Sequence, residues 1–367
     1  MSTVRILHAA DFHMDSPYEG LTEDKAALRR TEQRLLLSKM SQIVRDENVQ
    51  IVLLAGDLFD TAMSFGESAS ALSDFLRDIK VPVFIAPGSS DYYTLDSAYA
   101  KIKWPENVYI YKEPRIECVS LPYLGVRVWG AAFNEPRNVG LLNGFEAVKE
   151  TGTIDLMCIC GQVGTEDALC NRVTEGQIYR SGMNYIAFGH DHIESGLRRS
   201  GDTWYAWPGC PEGRNFDETG EKFIYIADVS ESECTIQKKC ISTRKYEVLE
   251  INGSDLDNIE KYIPENTEND IYRIDITGEV VSAPNIRKLR SDLEKKFFAL
   301  EIEDKTTLTK DIWDKLGKDT LRGAFLLKLK NEYDNAETEE EKRIIIKAAR
   351  WGIAALENSE EVADCED

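Results

Sequence analysis

Short, unbroken apolar runs recur along the chain, and each ends abruptly in polar side chains. Ile51 to Asp60 reads I-V-L-L-A-G-D-L-F-D, the pattern of a fully buried strand that delivers a carboxylate, Asp57, at its C-terminal end. Val4 to Ala10 runs in the same way into Asp11-Phe12-His13. Val81 to Ala86 runs into Pro87-Gly88-Ser89-Ser90-Asp91, and Met183 to Phe188 into Gly189-His190-Asp191-His192. Thr153 to Val163 is a further buried run with a polar end. Between these runs, Lys25 to Glu47 carries Leu28, Leu35, Leu36, Met40, Ile43 and Val44 at helical spacing, and Ser68 to Ile79 reads as a second crossover helix. The combination predicts β-α-β units. Val108 to Ala132 alternates as short strands, with more strands at Trp204 to Trp207, Phe223 to Val229 and Thr235 to Ile241. Two strand-rich halves with helices outside predict an α/β sheet sandwich covered on both faces.

The character changes near Thr243. Tyr246 to Ile251 reads as a strand, Asp255 to Tyr262 as a polar helix and Ile271 to Ile276 as a strand, with a further helix at Asn285 to Phe298. Asp311 to Tyr333 and Thr338 to Leu356 read as helices, the latter with Ile344, Ile345, Ala348, Trp351 and Ile353 as its apolar set. The acidic tail from Glu357 to Asp367 reads as disordered. The predicted division is 1–242, 243–305 and 306–367.

Composition narrows the class. Of 367 residues, 42% are apolar and 30% charged, as in a globular protein, and no run approaches the roughly 18 apolar residues that a membrane span needs. The opening M-S-T-V-R-I-L-H starts on a strand pattern rather than a signal peptide, so the expected location is cytoplasmic and no membrane partner is expected. The eight cysteines are scattered without a C-x-x-C pair, which predicts reduced thiols. A net charge of -21 weighs against unaided binding to nucleic acid. Arg29, Arg30, Arg34, Arg198, Arg199 and Arg214 are candidates for a local basic lip, or else for ordinary paired charges.

The strand ends together supply Asp11-x-His13, Gly56-Asp57-x-x-Asp60, Gly88-Ser-Ser-Asp91 and Gly189-His-Asp-His192. In order and spacing this set resembles the calcineurin-like metallophosphoesterases, whose pattern is D-x-H, G-D-x-x-D, G-N-H-D/E, a lone His and G-H-x-H. The words H-A-A-D-F-H-M-D-S-P and W-P-G-C-P-E-G-R-N-F-D-E-T-G-E-K are similar to those of the SbcD/YhaO branch of DNA-repair exonucleases. The resemblance implies a four-layer sandwich of two mixed β-sheets flanked by helices, with a small α+β capping domain and C-terminal helices. It implies a first metal held by Asp11, His13 and His192, with Asp57 bridging to a second metal that also takes His190, an Asn and a lone His. It makes Asp91 the acid that orients a catalytic His.

The chain departs from that pattern at three of these places. Ser89 stands at the Asn position, Ser90 at the catalytic His and Cys160 at the lone His. Composition gives no substitute: of four histidines, His13, His190 and His192 are already in the motifs, and His8 lies inside the first strand, where it reads as a core residue with a satisfied ring. General acid-base catalysis contributes about 10²- to 10⁴-fold, so Ser90 alone predicts a large loss of rate. One tightly bound divalent ion is expected rather than two, manganese first, with iron or zinc as alternatives. Cys160 reads either as a buried thiol or as a thiolate that would favour zinc. The expected function is phosphodiester hydrolysis of the exonuclease type, impaired or altered. The alternative is a non-catalytic metal-binding scaffold that partners an SbcC/YhaN-like coiled-coil ATPase through the C-terminal helices, and the third reading is a phosphatase acting on a small molecule. DNA as a ligand and a homodimer are left open.

Overall fold

The computed structural model describes residues 3–62, 66–164, 170–280, 283–308 and 321–356. It clusters into two compact units, Met1–Lys245 and Tyr246–Asp367. The first unit begins β1 (Val4–Ala9), α1 (Glu23–Asp46), β2 (Ile51–Ala55), α2 (Gly66–Asp78), β3 (Val83–Ala86), α3 (Ala98–Lys101) and β4 (Val108–Ile110). It continues with β5 (Glu117–Leu121), β6 (Val126–Gly130), β7 (Ile154–Cys160), β8 (Gln162–Val163), β9 (Arg172–Val173), α4 (Glu175–Arg180) and β10 (Tyr185–Gly189). It ends with β11 (Arg198–Ser200), β12 (Thr203–Ala206), β13 (Phe223–Val229) and β14 (Cys234–Cys240).

These strands form two six-stranded mixed sheets, ordered β14-β13-β1-β2-β3-β4 and β11-β12-β10-β7-β6-β5. In the first, β1 to β4 are parallel, and β13 pairs antiparallel with both β1 and β14. In the second, β6, β7, β10 and β12 are parallel and the two edge strands antiparallel. The inner faces interlock: Ile6, Ile51, Leu53 and Phe84 of one sheet pack with Val128, Leu156, Cys158 and Tyr185 of the other. This is why the central strands read as continuous apolar runs, since each is covered on both faces.

On the outer face of the first sheet, Leu36, Leu37, Met40 and Val44 of α1 and Leu72, Phe75 and Leu76 of α2 cover Leu7, Val52, Leu54 and Ile85. The second sheet is covered more thinly, by Ile178 of the short α4 and by loop residues such as Phe133 and Leu142 over Met157, Ile159, Ile186 and Phe188. Among the described residues both sheets are therefore covered on their outer faces, as the expected four-layer sandwich requires, the second by one short helix and loops.

The second unit has a three-stranded parallel sheet, β15 (Tyr246–Asn252), β16 (Ile271–Thr277) and β18 (Ala299–Asp304), with a small pair, β17 (Glu279–Val280) and β19 (Thr307–Leu308). A 3-10 helix over Gly253–Tyr262 and α5 (Ile286–Leu293) are its crossovers, and Ile251, Ile259, Ile274, Ile276, Leu293 and Phe297 form its core. The expected helix over Asn285 to Phe298 is shorter, and the strand after it has no counterpart among the expected elements. The last elements are α6 (Leu321–Asn335) and α7 (Glu339–Leu356). The start of the expected helix from Asp311 and the acidic tail from Glu357 lie outside the described residues, as does Cys365. The other seven cysteines are free thiols. Among the described residues, no helix is long and apolar enough to cross a membrane.

Candidate metal centre

The parallel strands of both sheets bring their C-terminal ends together, the place where an α/β framework presents polar groups to a ligand. Beyond β1 and β2 the two segments stay in register: Asp11 N–H donates to Gly56 O (3.1 Å), His13 N–H to Asp57 O (2.9 Å) and Met14 N–H to Leu58 O (2.9 Å). The sheets also approach closely here. A Cβ on Gly189 would stand 1.5 Å from Ala55 O, so only glycine lets β10 deliver the histidines beside β2.

Two clusters of donors result. The ligand atoms of Asp11, His13 and His192 lie within 4.8 Å of one another, as do those of Asp57, Cys160 and His190. Asp11, His13, Asp57 and His190 all have left-handed backbones, with φ of 53°, 45°, 49° and 106°. Such φ values cost side-chain-bearing residues free energy and gather at functional sites.

The imidazoles are oriented by carboxylates. His13 Nδ1 lies 3.2 Å from Asp60 Oδ1, and His192 Nδ1 lies 2.8 Å from Glu218 Oε1. With each Nδ1 turned to a carboxylate, His13 Nε2 and His192 Nε2 face each other at 3.2 Å. Two ring nitrogens this close, each on an imidazole held by a carboxylate, have the arrangement usual for metal ligands. Arg214 joins the two carboxylates, at 2.6 Å from Glu218 and 3.3 Å from Asp60, and stands 3.0 Å from His192 Nδ1. Burial opposes the charge on Glu218, yet the hydrogen bonds from His192 and Arg214 hold it well below the usual carboxylate range.

Asp11 is fully buried and accepts the His190 N–H on both oxygens, at 2.9 and 3.0 Å. Burial, and then the neighbouring Asp57 charge, push it well above the usual range. Two adjacent buried carboxylates make an electrostatic deficit that a divalent cation would offset. The donor chemistry therefore fits the ion that this fold implies.

Asp57 is also held from the β3 side. Its Oδ1 accepts the Ser90 N–H (2.7 Å) and its Oδ2 the Ser89 hydroxyl (3.2 Å). Asp91 lies behind these loops and clasps them, accepting Leu58 N–H (2.7 Å), Phe59 N–H (3.2 Å), Gly88 N–H (2.8 Å) and the Tyr99 hydroxyl. Burial and the Asp57 charge push Asp91 up to about 7, against those donors. Burial, with Asp57 and Asp11 adding to it, pushes the Cys160 thiol well above the usual range.

Glu218 and Tyr99 had no signal in the sequence, because each reaches its partner only through the packed fold. The W-P-G-C-P-E-G-R-N-F-D-E-T-G-E-K word that holds Glu218 and Arg214 marked the region but not their contacts. His8 is a core residue: its Nδ1 meets the Tyr185 hydroxyl and its Nε2 meets Phe188 O, both at 2.9 Å. The candidate basic lip needs correction at Arg29, which is fully buried and paired with Glu32 (2.9 Å) and Glu212 (2.6 Å).

Comparison with known proteins adds the family. The metallophosphoesterase YhaO of Bacillus subtilis, itself uncharacterised, is 28% identical over 261 residues, 65% of this chain and 60% of that protein. The chain thus spans less than two thirds of that relative's length. The D component of the SbcCD nuclease of B. subtilis is 25% identical over 337 residues, 78% of this chain and 83% of that protein. The corresponding component of the Staphylococcus epidermidis nuclease is 26% identical over 125 residues, 32% of this chain and 31% of that protein. The calcineurin-like phosphoesterase model matches residues 4–194, a span that runs from β1 past His192 and so includes both donor clusters. The chain belongs to the calcineurin-like phosphoesterases.

Proposed function

We propose that the chain is a metal-dependent phosphodiesterase of the DNA-repair exonuclease type whose hydrolytic step is impaired. The carrying observation is the approach of His13 Nε2 and His192 Nε2 to 3.2 Å beside Asp11, with each ring held at Nδ1 by a carboxylate. In this reading Asp11, His13 and His192 hold one divalent ion, manganese before iron or zinc, with Asp57 at its edge. The ion supplies Lewis-acid polarisation of the phosphate and a more acidic water. Asp60 and Glu218 fix the imidazoles, and Arg214 ties those two carboxylates together. Asp91 sets the β2 and β3 loops in register. Ser90 stands where the family's proton donor would be, and a serine hydroxyl does not protonate a leaving group near neutral pH. The second position, with Ser89 and Cys160 beside Asp57 and His190, takes manganese weakly, because a hydroxyl and a thiol stand where the family pattern has an amide and an imidazole.

A second reading is a scaffold for a coiled-coil ATPase. It is favoured by exposed apolar residues on the terminal hairpin, Leu321 and Leu327 on α6 and Ile344 and Trp351 on α7, and by the naming of relatives as one part of SbcCD. In both readings the α+β part of the second unit is a capping domain.

The test is a manganese-dependent nuclease assay on single- and double-stranded ends, run beside the triple variant Ser89→Asn, Ser90→His, Cys160→His. The native chain is expected to cut about 10²- to 10⁴-fold more slowly than the variant, and dialysis against manganese is expected to leave one ion per chain. Equal rates, or two tightly held manganese ions, would overturn the reading.

A further inference from the structure

Cys158 and Cys160 stand two residues apart at the end of β7, both fully buried, yet their surroundings differ. Cys158 lies in the apolar layer between the sheets, where its thiol meets Leu54 O at 3.3 Å. Cys160 has a carboxylate and an imidazole within reach, Asp57 and His190, and the three donor atoms lie within 4.8 Å of one another. We infer that Asp57, Cys160 and His190 form a mixed oxygen, sulfur and nitrogen site selective for a thiophilic divalent ion of the zinc class. The inference rests on the reading of this region as a metal centre and extends it, since the second position becomes a site of different selectivity rather than a lost one.

Each donor comes from a different strand end, and the backbones of Cys160 and His190 are fixed by their neighbours. The Cys160 carbonyl accepts the Asn171 side-chain amide (2.7 Å), and the next residue, Gly161, donates its N–H to Gly189 O (3.1 Å). The His190 N–H is held by Asp11. Gly56, with φ of 98°, makes room for the sulfur, because a Cβ there would lie 2.8 Å from Cys160 Sγ. With the backbone that carries the donors held in place, donor type is what distinguishes one ion from another. Thiolate, imidazole and carboxylate together match zinc and cobalt better than manganese. Binding is balanced by one proton: the thiol S–H breaks, a sulfur-metal bond forms, and the proton leaves to solvent.

Cobalt(II) reports sulfur ligation directly. The full chain is titrated with cobalt(II), and the near-ultraviolet sulfur-to-cobalt charge-transfer band is followed. A saturable band is expected. It should be retained by Cys158→Ser, lost in Cys160→Ser, reached only at about tenfold or more higher cobalt in His190→Ala, and removed by competing zinc. No band in the native chain overturns the inference, as does a band that survives unchanged in Cys160→Ser. If Cys160→Ser fails to fold, the partly exposed His190→Ala decides: an unchanged titration overturns it. Manganese dialysis of the same proteins separates the two claims. The first site is expected to hold one manganese ion in both the native chain and Cys160→Ser, and a chain that binds no manganese refutes the first-site reading without reference to the cobalt band.

Discussion

Four histidines meet different surroundings in this sandwich. His13 and His192 are held at Nδ1 by carboxylates, His190 stands beside Cys160, and His8 has both ring nitrogens engaged in the core. Burial lowers His8 to about 3, with the Phe188 carbonyl opposing that shift, whereas an imidazole in the unfolded chain titrates near 6.5. Above about 6.5 the ring is neutral in both states and gives no pH dependence. Between about 6.5 and about 3 only the unfolded state takes up the proton, so this contribution falls as the solution is acidified, and below about 3 the loss is complete. The full effect is on the order of a few kcal/mol. Comparing urea stability of the native chain and His8→Gln across this window isolates it from the carboxylates, and the native curve should fall more steeply on acidification. Parallel curves would contradict the assignment. The ligand candidates were legible because each follows a buried apolar run, and His8 because it sits inside one. Glu218, Tyr99 and the clasp made by Asp91 were not, since they depend on packing between segments distant in sequence.

At the level of elements, α1 is tied to the rest of its unit by a buried charge network. Arg29 pairs with Glu32 and Glu212, Arg244 pairs with Glu32 at 2.6 Å, and Glu212 also accepts the N–H groups of Thr243 (2.7 Å) and Arg244 (3.2 Å). Removing one member leaves a buried charge without its partner, which typically costs about 3 to 5 kcal/mol. Arg29→Met is therefore expected to destabilise by about that amount, and adding Glu212→Gln should recover part of the loss. Chemical denaturation of the two single variants and the double variant measures the coupling, and simple additivity would refute it. Helical spacing located α1 but placed Arg29 among candidate surface charges, because the acidic partner that buries it comes from a distant loop. Elements covered on both faces were legible as apolar runs. Strand β18, A-L-E-I-E-D, was not, because it is only half-buried apart from Ile302 and so lacks a strong pattern.

For the whole molecule, the question is how a chain of net charge -21 would meet a polyanion. Two of the arginines that were candidates for a basic lip are committed to buried or partly buried ion pairs, and two more are exposed beside tryptophans. Arg29 is buried, Arg214 is paired with Glu218 and Asp60, Arg198 lies over Trp207 at 4.8 Å, and Arg199 lies over Trp204 and pairs with Asp202 at 3.4 Å. A DNA-binding protein that neutralises many phosphates gains affinity steeply as salt is lowered, because counterions are released. An acidic chain with so few exposed arginines near its site can neutralise few phosphates, so its slope should be shallow. The isolated chain is expected to bind duplex and single-stranded oligonucleotides more weakly than the about 10⁻⁴ to 10⁻⁶ M usual for non-specific binding at physiological salt. Any binding should depend on divalent metal, since the bound ion would be the main positive charge offered to a phosphate. Fluorescence anisotropy across a salt series, with manganese and with EDTA, tests this. Tight binding in EDTA with a steep salt slope would mean that a basic surface is at work, and the dependence on a metal or on a cationic partner would then be refuted.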